Sequence, residues 1–492
     1  MIHPLVYEIN TRCWLRRLSE QQERAVTLDS IPGSEFDRWE RLGFTHLWLM
    51  GVWSTGPLTP GAPELNPDGA VLGDSPYAIT GYSIPESRGG EAGLQRFRRQ
   101  LRDRGMKLIL DFVPNHVGLN HPWLDERPEL LVQSPVQRPG TFSHSTPSGL
   151  RWLAHGRDPY FPPWIDTAQL DYRLDTTRTA MTDTLQAVAD RCDGVRCDMA
   201  MLVLNDVFET TWKTFPVDPA GPPSNPAAGG MPVRPGTEFW RDAIAATLRG
   251  HPDFLFVAEA YWGLEGRLQA LGFDYTYNKE VYDELIRRNP AGVRQQLDGV
   301  SAQFLSGSVH FLENHDEARI ASILSPAEHR AAALLILSLP GMRLLNDGQL
   351  EGARIQVPVQ ARRYAVEPAQ PEIQHLYEQL LAALKNSAVG RGVPLLLNPR
   401  EACPGNPTAA NFVAIQWQSQ PPGFDIAVVN LAPHQGQCLL FPGIKQAAQA
   451  AWLVRDALGT EERRCSGSDL AGKGLLLDLP GNGAQLLRFT AV

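Results

Sequence analysis

Short apolar runs recur along most of the chain, and stretches of helical period lie between them. Runs of this kind fall at residues 5–10, 45–50, 107–112, 194–198, 254–258, 273–275, 308–312 and 342–345. The run at 45–50 (Thr-His-Leu-Trp-Leu-Met) is nearly continuous in its hydrophobicity, which suits a parallel strand covered on both faces. Helical patterns at 36–42, 91–104, 178–190, 238–249, 327–339 and 371–385 alternate with the runs. Eight strand signals separated by helices predict an α/β chain with a (β/α)8 TIM barrel in preference to a doubly wound sheet.

Two departures from this rhythm define the domain organisation. After His116 an irregular excursion to about Asp171 carries Trp152, Tyr160, Phe161 and Trp164 among prolines. It is too long for an ordinary strand-to-helix loop and reads as an inserted subdomain after strand three, residues 117–170. From about Pro394 the segments become short, alternating and turn-bounded, with no convincing helix. Residues 394–492 therefore read as a C-terminal all-β domain, a β-sandwich, and residues 1–116 with 171–393 as the barrel. Two long loops, at 51–84 and 214–236, are rich in proline and glycine.

Composition narrows the partners. The 492 residues are 43% hydrophobic and 20% charged, ordinary for a globular chain with a large core. The formal net charge of -9, with no dense Lys/Arg run, argues against nucleic acid and anionic membrane and for a neutral substrate. No apolar run approaches the ~20 residues of a membrane span, and no secretory signal is visible. Six cysteines show no CxxC pair and no zinc spacing, so reduced thiols in a cytoplasmic protein are expected. The oligomeric state is left open.

The chemistry centres on Asp193-Gly194-Val195-Arg196-Cys197-Asp198-Met199. Arg196 and Asp198 are two apart in a strand and leave the same face. If that face is a barrel interior, a fixed positive charge keeps the carboxylate ionised, as a glycosyl-transferring nucleophile requires. A buried structural Arg–Asp pair is the plainer alternative. Two further acids stand where barrel enzymes carry working groups, at the C-terminal strand ends: Glu259 after strand five and Asp316 after strand seven. Arg196, His116 and His315 lie at the same rim, and a carboxylate-lined pocket suits a cationic transition state.

Four stretches resemble the four signature regions of the α-amylase family of glycoside hydrolases (family 13), in order and on the matching strands. They are Asp111 to His116 (D-x-x-x-N-H), Gly194 to Asp198 (G-x-R-x-D), Glu259 within Val257-Ala258-Glu259-Ala260, and Asn314-His315-Asp316. The resemblance implies Asp198 as nucleophile, Glu259 as general acid and then base, and Asp316 as the stabiliser of an oxocarbenium-like transition state. It implies a retaining pair with carboxyls roughly 5–5.5 Å apart. Arg196 would orient Asp198, His116 and His315 would hydrogen-bond the reacting sugar, and Tyr82 would stack beneath it. Trp262, with Trp53, Trp152 and Trp164, is a candidate platform for further sugar rings.

The implied activity is hydrolysis of α-glucosidic bonds in malto-oligosaccharides or related α-glucans, with an oligosaccharide as the partner. A transglycosylase or glycoside phosphorylase on the same scaffold is the alternative, and a non-catalytic carbohydrate-binding protein the outside one. No cofactor is implied except calcium, since Asn115 matches a position that ligates it in some members. Many relatives carry a Lys-His pair just after the nucleophile, whereas this chain has the apolar run Met199-Ala200-Met201-Leu202-Val203-Leu204. That run predicts weak, permissive binding on the leaving-group side and release of short products.

Overall fold

Eight short strands close into a parallel barrel in sequential order: β1 (Leu5–Asn10), β2 (His46–Met50), β3 (Lys107–Phe112), β4 (Gly194–Cys197), β5 (Leu255–Ala258), β6 (Tyr275–Tyr277), β7 (Ser308–Phe311) and β8 (Met342–Asn346). The structure is a computed structural model that describes residues 2–56, 73–146, 149–217, 236–418, 423–443 and 451–492. The long loops expected at 51–84 and 214–236 fall partly outside these residues. Among the described residues, no helix is long and apolar enough to cross a membrane.

The register explains which side chains meet inside the barrel. Glu8 pairs with Trp48, Trp48 with Ile109, Asp111 with Arg196, and Arg196 with Val257. With a side-chain period of two, Glu8, Trp48, Asp111, Arg196 and Val257 share one face. The hydrogen bond from Trp48 Nε1 to Asp111 Oδ1 (2.9 Å) identifies that face as the interior. Gly194 sits on it where a Cβ would lie 2.7 Å from the Leu255 side chain and 2.8 Å from its carbonyl oxygen. Only glycine lets β4 and β5 approach this closely beneath the site.

The longer helices are α1 (Thr11–Gln21), α2 (Gly33–Leu42), α3 (Gly90–Arg102), α4 (Asp175–Ala189), α5 (Phe239–Gly250), α6 (Pro326–Ser338) and α7 (Pro371–Lys385). The sequence pattern did not show α1. It begins directly at the end of β1, where the Asn10 side chain accepts the Cys13 N–H (3.2 Å) and turns strand into helix within one residue. Helix α6 carries a full capping box, with Ser325 and Glu328 each satisfying the other's backbone. It is buried over most of its length because barrel and C-terminal sheet cover opposite sides; Trp417 Nε1 donates to the Ser338 carbonyl at 2.8 Å. The sixth strand lies two residues beyond its expected place. Asp274 does not enter the strand, because its carboxylate caps the Phe256 N–H (2.8 Å) and its own N–H donates to the Phe256 carbonyl.

Between β3 and α4 the chain leaves the barrel. His116–Gly118 and Thr167–Gln169 pair antiparallel at the neck, and beyond them lies a three-stranded sheet of Gln133–Ser134, Gly149–Ala154 and Thr141–Thr146. The C-terminal part is all-β around a separate apolar core. Strands β9 (Val393–Leu397), β10 (Phe412–Gln418), β11 (Gly423–Asn430), β13 (Ala451–Asp456), β14 (Glu462–Ser466) and β16 (Ala484–Ala491) form one antiparallel sheet in the order β9-β10-β11-β16-β13-β14. A two-stranded sheet of β12 (Gly436–Leu440) and β15 (Leu475–Leu479) accompanies it. Among the described residues a 3-10 turn, Pro407–Asn411, and a short helix, Gly467–Gly472, started by the Ser466 side chain, interrupt this part.

Candidate active site

The side chain that organises the site is Arg196. It is 1% exposed, and its guanidinium lies 5.2 Å from the ring centre of Tyr77, 5.4 Å from Trp48 and 5.8 Å from Tyr277. Its Nη1 donates to Asp198 Oδ1 at 2.6 Å. Its Nη2 lies 2.8 Å from Glu259 Oε2, an ion-pair contact off the N–H axis. One guanidinium, penned by three rings, therefore spans the two carboxylates at the ends of β4 and β5.

The two acids differ in environment. Burial pushes the Asp198 carboxyl up; the charge and hydrogen bond of Arg196 pull the other way, and Asp316 and Asp111 add repulsion. The carboxyl stays above its ordinary value, so Arg196 offsets the burial only in part, contrary to expectation. Burial also raises Glu259, to about 7, with Asp198 and Asp316 raising it further against Arg196 and the Met199 N–H. Glu259 is thus poised to hold or release a proton near neutrality, as an acid/base group requires. Glu259 Oε2 accepts the Met199 N–H at 2.7 Å, and Oε1 accepts from the Tyr261 hydroxyl at 3.0 Å. Met199 reaches Glu259 by adopting a left-handed backbone (φ 42°, ψ 47°) directly after Asp198.

Asp316 completes the triangle from β7. It is the open member, with 43% of its side chain accessible. Burial works to raise it, but the charge and hydrogen bond of His315 and the charge of Arg196 outweigh this, and its carboxyl falls to about 2. His315 was expected to bind sugar, yet its ring is already engaged. Nδ1 lies 2.5 Å from Glu8 Oε1, and Nε2 lies 2.7 Å from the Tyr77 hydroxyl and 3.1 Å from Asp316 Oδ2. Burial would neutralise the ring, but Asp316 and Glu8 hold it protonated well above the ordinary range.

Tyr82, expected beneath the reacting sugar, lies near enough to Asp198 and Asp111 to feel their charge, but its hydroxyl is tied to the backbone. Its hydroxyl accepts the Val113 N–H (2.9 Å) and donates to the Val113 carbonyl (3.2 Å), and its ring packs against Trp53 and Phe112. The tyrosine beside Arg196 and His315 is Tyr77, which the sequence reading passed over. Glu8 was passed over too, although an acid inside the apolar run Leu5-Val6-Tyr7-Glu8-Ile9 is itself a signal. His116 is buried against Trp164 (5.1 Å), and burial lowers it to about 4, so its ring is neutral near pH 7, hydrogen-bonded to the Tyr77 backbone.

The tryptophans separate. Trp53 is fully buried and donates to the Asp111 carbonyl at 2.7 Å, so it is packing and no platform. Trp152 lies on the small sheet opposite Ser143 and Ser134. Trp262 is 40% exposed in a left-handed backbone (φ 68°), edge-on to exposed Tyr160 at 4.9 Å. The apolar run after the nucleophile is mostly core: Ala200 to Leu204 are buried, and only Met199 is partly exposed.

At Asn115, the position expected for calcium, Oδ1 accepts from Gln169 Nε2 (2.9 Å) and Nδ2 donates to Gln169 Oε1 (3.2 Å), so the side chain is paired with an amide. Among the described residues no group of three or more His, Cys, Asp or Glu stands together as a metal site.

Residues 34–363 match the family model for the alpha amylase catalytic domain. The chain is 24% identical over 366 residues to alpha-amylase MalA of Haloarcula japonica, covering 71% of this chain and 44% of that protein. It is 26% identical over 251 residues to the probable oligo-1,6-glucosidase 2 of Bacillus subtilis, covering 46% and 39%. The chain therefore spans less than half the length of these two relatives. In fold it is similar to an alpha-amylase from Lactobacillus plantarum, with a TM-score of 0.68, 21% identity and 99% of each chain covered.

Proposed function

The chain belongs to the α-amylase family of glycoside hydrolases, and on that premise we propose that it hydrolyses α-glucosidic bonds of malto-oligosaccharides or related α-glucans by a retaining double displacement. The observation that carries the proposal is the Arg196 bridge between Asp198 and Glu259, with the open carboxylate of Asp316 close enough to repel both. Asp198 attacks the anomeric carbon, and Glu259 gives its proton to the departing glycosidic oxygen as that bond breaks. The product is a β-glycosyl ester on Asp198. Water then gives a proton to Glu259 and attacks the same carbon, which releases the α-sugar and restores Asp198. Asp316, anionic and open, binds sugar hydroxyls and stabilises the positive charge that develops in each step. Tyr77 faces the reacting ring in this scheme.

A guanidinium shared by both carboxylates supports the short spacing of a retaining pair, roughly 5–5.5 Å, over the roughly 6.5–9.5 Å of an inverting one. The absence of a polar side chain at Met199 supports short products over internal cleavage. Six free cysteines, Cys403 exposed among them, support the cytoplasm as the working compartment.

The test is proton NMR of the first product from maltotriose, with chromatography of maltose, longer malto-oligosaccharides and amylose digests. Initial release of the α-anomer, with glucose or maltose appearing while amylose keeps its iodine colour, is the expected result. Initial β-anomer overturns the retaining reading. Longer oligosaccharides, or glucosyl phosphate when phosphate is added, would assign transfer in place of hydrolysis.

A further inference from the structure

The two oxygens of Glu259 have partners of different kinds. Oε2 faces the Met199 backbone N–H at 2.7 Å and Arg196 Nη2 at 2.8 Å, and both groups are donors without any accepting capacity. A proton on Oε2 would point at other protons. The partner of Oε1 is the Tyr261 hydroxyl at 3.0 Å, which both donates and accepts. Tyr261 follows Glu259 by two residues, is half-buried, and packs on the barrel core. We infer that Tyr261 is a positioning residue for the reacting proton: it confines that proton to Oε1 of Glu259 and reverses its own hydrogen bond as Glu259 passes between acid and base. This rests on the reading of Glu259 as the acid/base group.

When Glu259 is ionised, Tyr261 donates to Oε1. When Glu259 is protonated, the Oε1 proton is given to the tyrosine oxygen until a glycosidic oxygen takes it. The other charged or titratable groups facing Glu259 are Arg196 and Asp198 from β4, Tyr277 of β6 and Asp316 after β7; Tyr261 itself also faces Tyr277. The Tyr277 hydroxyl is engaged by Arg196 Nε at 3.4 Å, and Tyr261 is the hydroxyl bonded to Oε1.

The experiment is Tyr261→Phe, which keeps the ring and removes the hydroxyl. A bond to the carboxylate is stronger than one to the neutral acid, so its loss favours protonated Glu259. The alkaline limb of kcat/KM should move up by about one pH unit. On the plateau below that limb, kcat/KM for maltotriose should fall about tenfold, while an aryl α-glucoside with a good leaving group changes less than about twofold. Equal losses on both substrates, or a limb that stays in place, would reduce Tyr261 to packing. A second readout needs no turnover: the Glu259 signal of enzyme with 13C-labelled glutamate carboxyls, identified by its disappearance in Glu259→Gln. Its midpoint should rise by about one pH unit in Tyr261→Phe, and an unchanged midpoint overturns the inference. If Glu259→Gln kept full maltotriose turnover, the acid/base reading would fall, and the NMR midpoint would still decide whether Tyr261 holds the Glu259 proton.

Discussion

Replacing Arg196 by Met should move the acidic limb of activity upward, and the size follows from the geometry. The guanidinium touches Asp198 at 2.6 Å and Glu259 at 2.8 Å, and its 1% exposure leaves little solvent to take over its charge. Charges about 4 Å apart at an effective dielectric of about 20 attract by about 4 kcal/mol, or about a thousandfold in the balance between ionised and protonated forms. Without Arg196, burial and the neighbouring carboxylates act on Asp198 unopposed, and both raise it. Asp198 must be ionised to attack, so activity should be lost from the acid side. An aryl α-glucoside with a good leaving group is the right substrate, because its first step does not draw on the Glu259 proton. The acidic limb of kcat/KM should rise by at least about two pH units, which is at least about a hundredfold loss at pH values below both limbs. Arg196→Lys keeps a charge but cannot fork to two carboxylates; its limb should move less while its plateau still falls. A Met variant that loses activity equally at every pH, with the limb unmoved, would mean that Arg196 only fills space between Trp48, Tyr77 and Tyr277.

Three further outcomes follow from the same geometry. Glu259→Gln should abolish turnover of maltotriose while largely sparing the first step on activated aryl glucosides, seen as a burst of phenol in stopped-flow; equal loss on both would remove Glu259 from the acid role. Tyr77→Phe deletes the hydroxyl 2.7 Å from His315 Nε2, and about a tenfold fall in kcat/KM is expected with thermal unfolding shifted by only a few degrees; an unchanged kcat/KM would show that Tyr77 lies outside the working site. Because an amide from Gln169 occupies Asn115 Oδ1, excess EDTA should leave activity and Tm unchanged, and a drop in either that calcium reverses would contradict that account.

The barrel was legible because its strands are short apolar runs separated by stretches of helical period, a pattern that survives without any tertiary knowledge. Asp198, Glu259, Asp316 and Arg196 were legible for the related reason that strand ends are where a barrel displays side chains. Helix α1 was hidden because it follows β1 with no turn residues between, its start marked by Asn10 alone. Tyr77 and Tyr82 could not be told apart in sequence, since both lie in one loop; tertiary contact decides, tying Tyr82 to Val113 and Tyr77 to His315. The run from Met199 to Leu204 was read for its polarity, but five of its six side chains serve the core. His315 shows the limit most plainly. Its motif marks the right place, but only the fold reveals that Glu8, more than 300 positions earlier, already holds its ring.

The central claim is that Asp198 is the nucleophile, held by Arg196 beside an acid that protonates the leaving group. Trapping with a 5-fluoro-α-glucosyl fluoride tests it most directly, because the fluorines allow the first step and slow the second. Peptide mass spectrometry should find one glycosyl ester, on Asp198 within the peptide spanning Arg196 to Leu204, and Asp198→Asn should remove it. An adduct on Glu259 or Asp316, or time-dependent inactivation with no covalent adduct, would contradict the account.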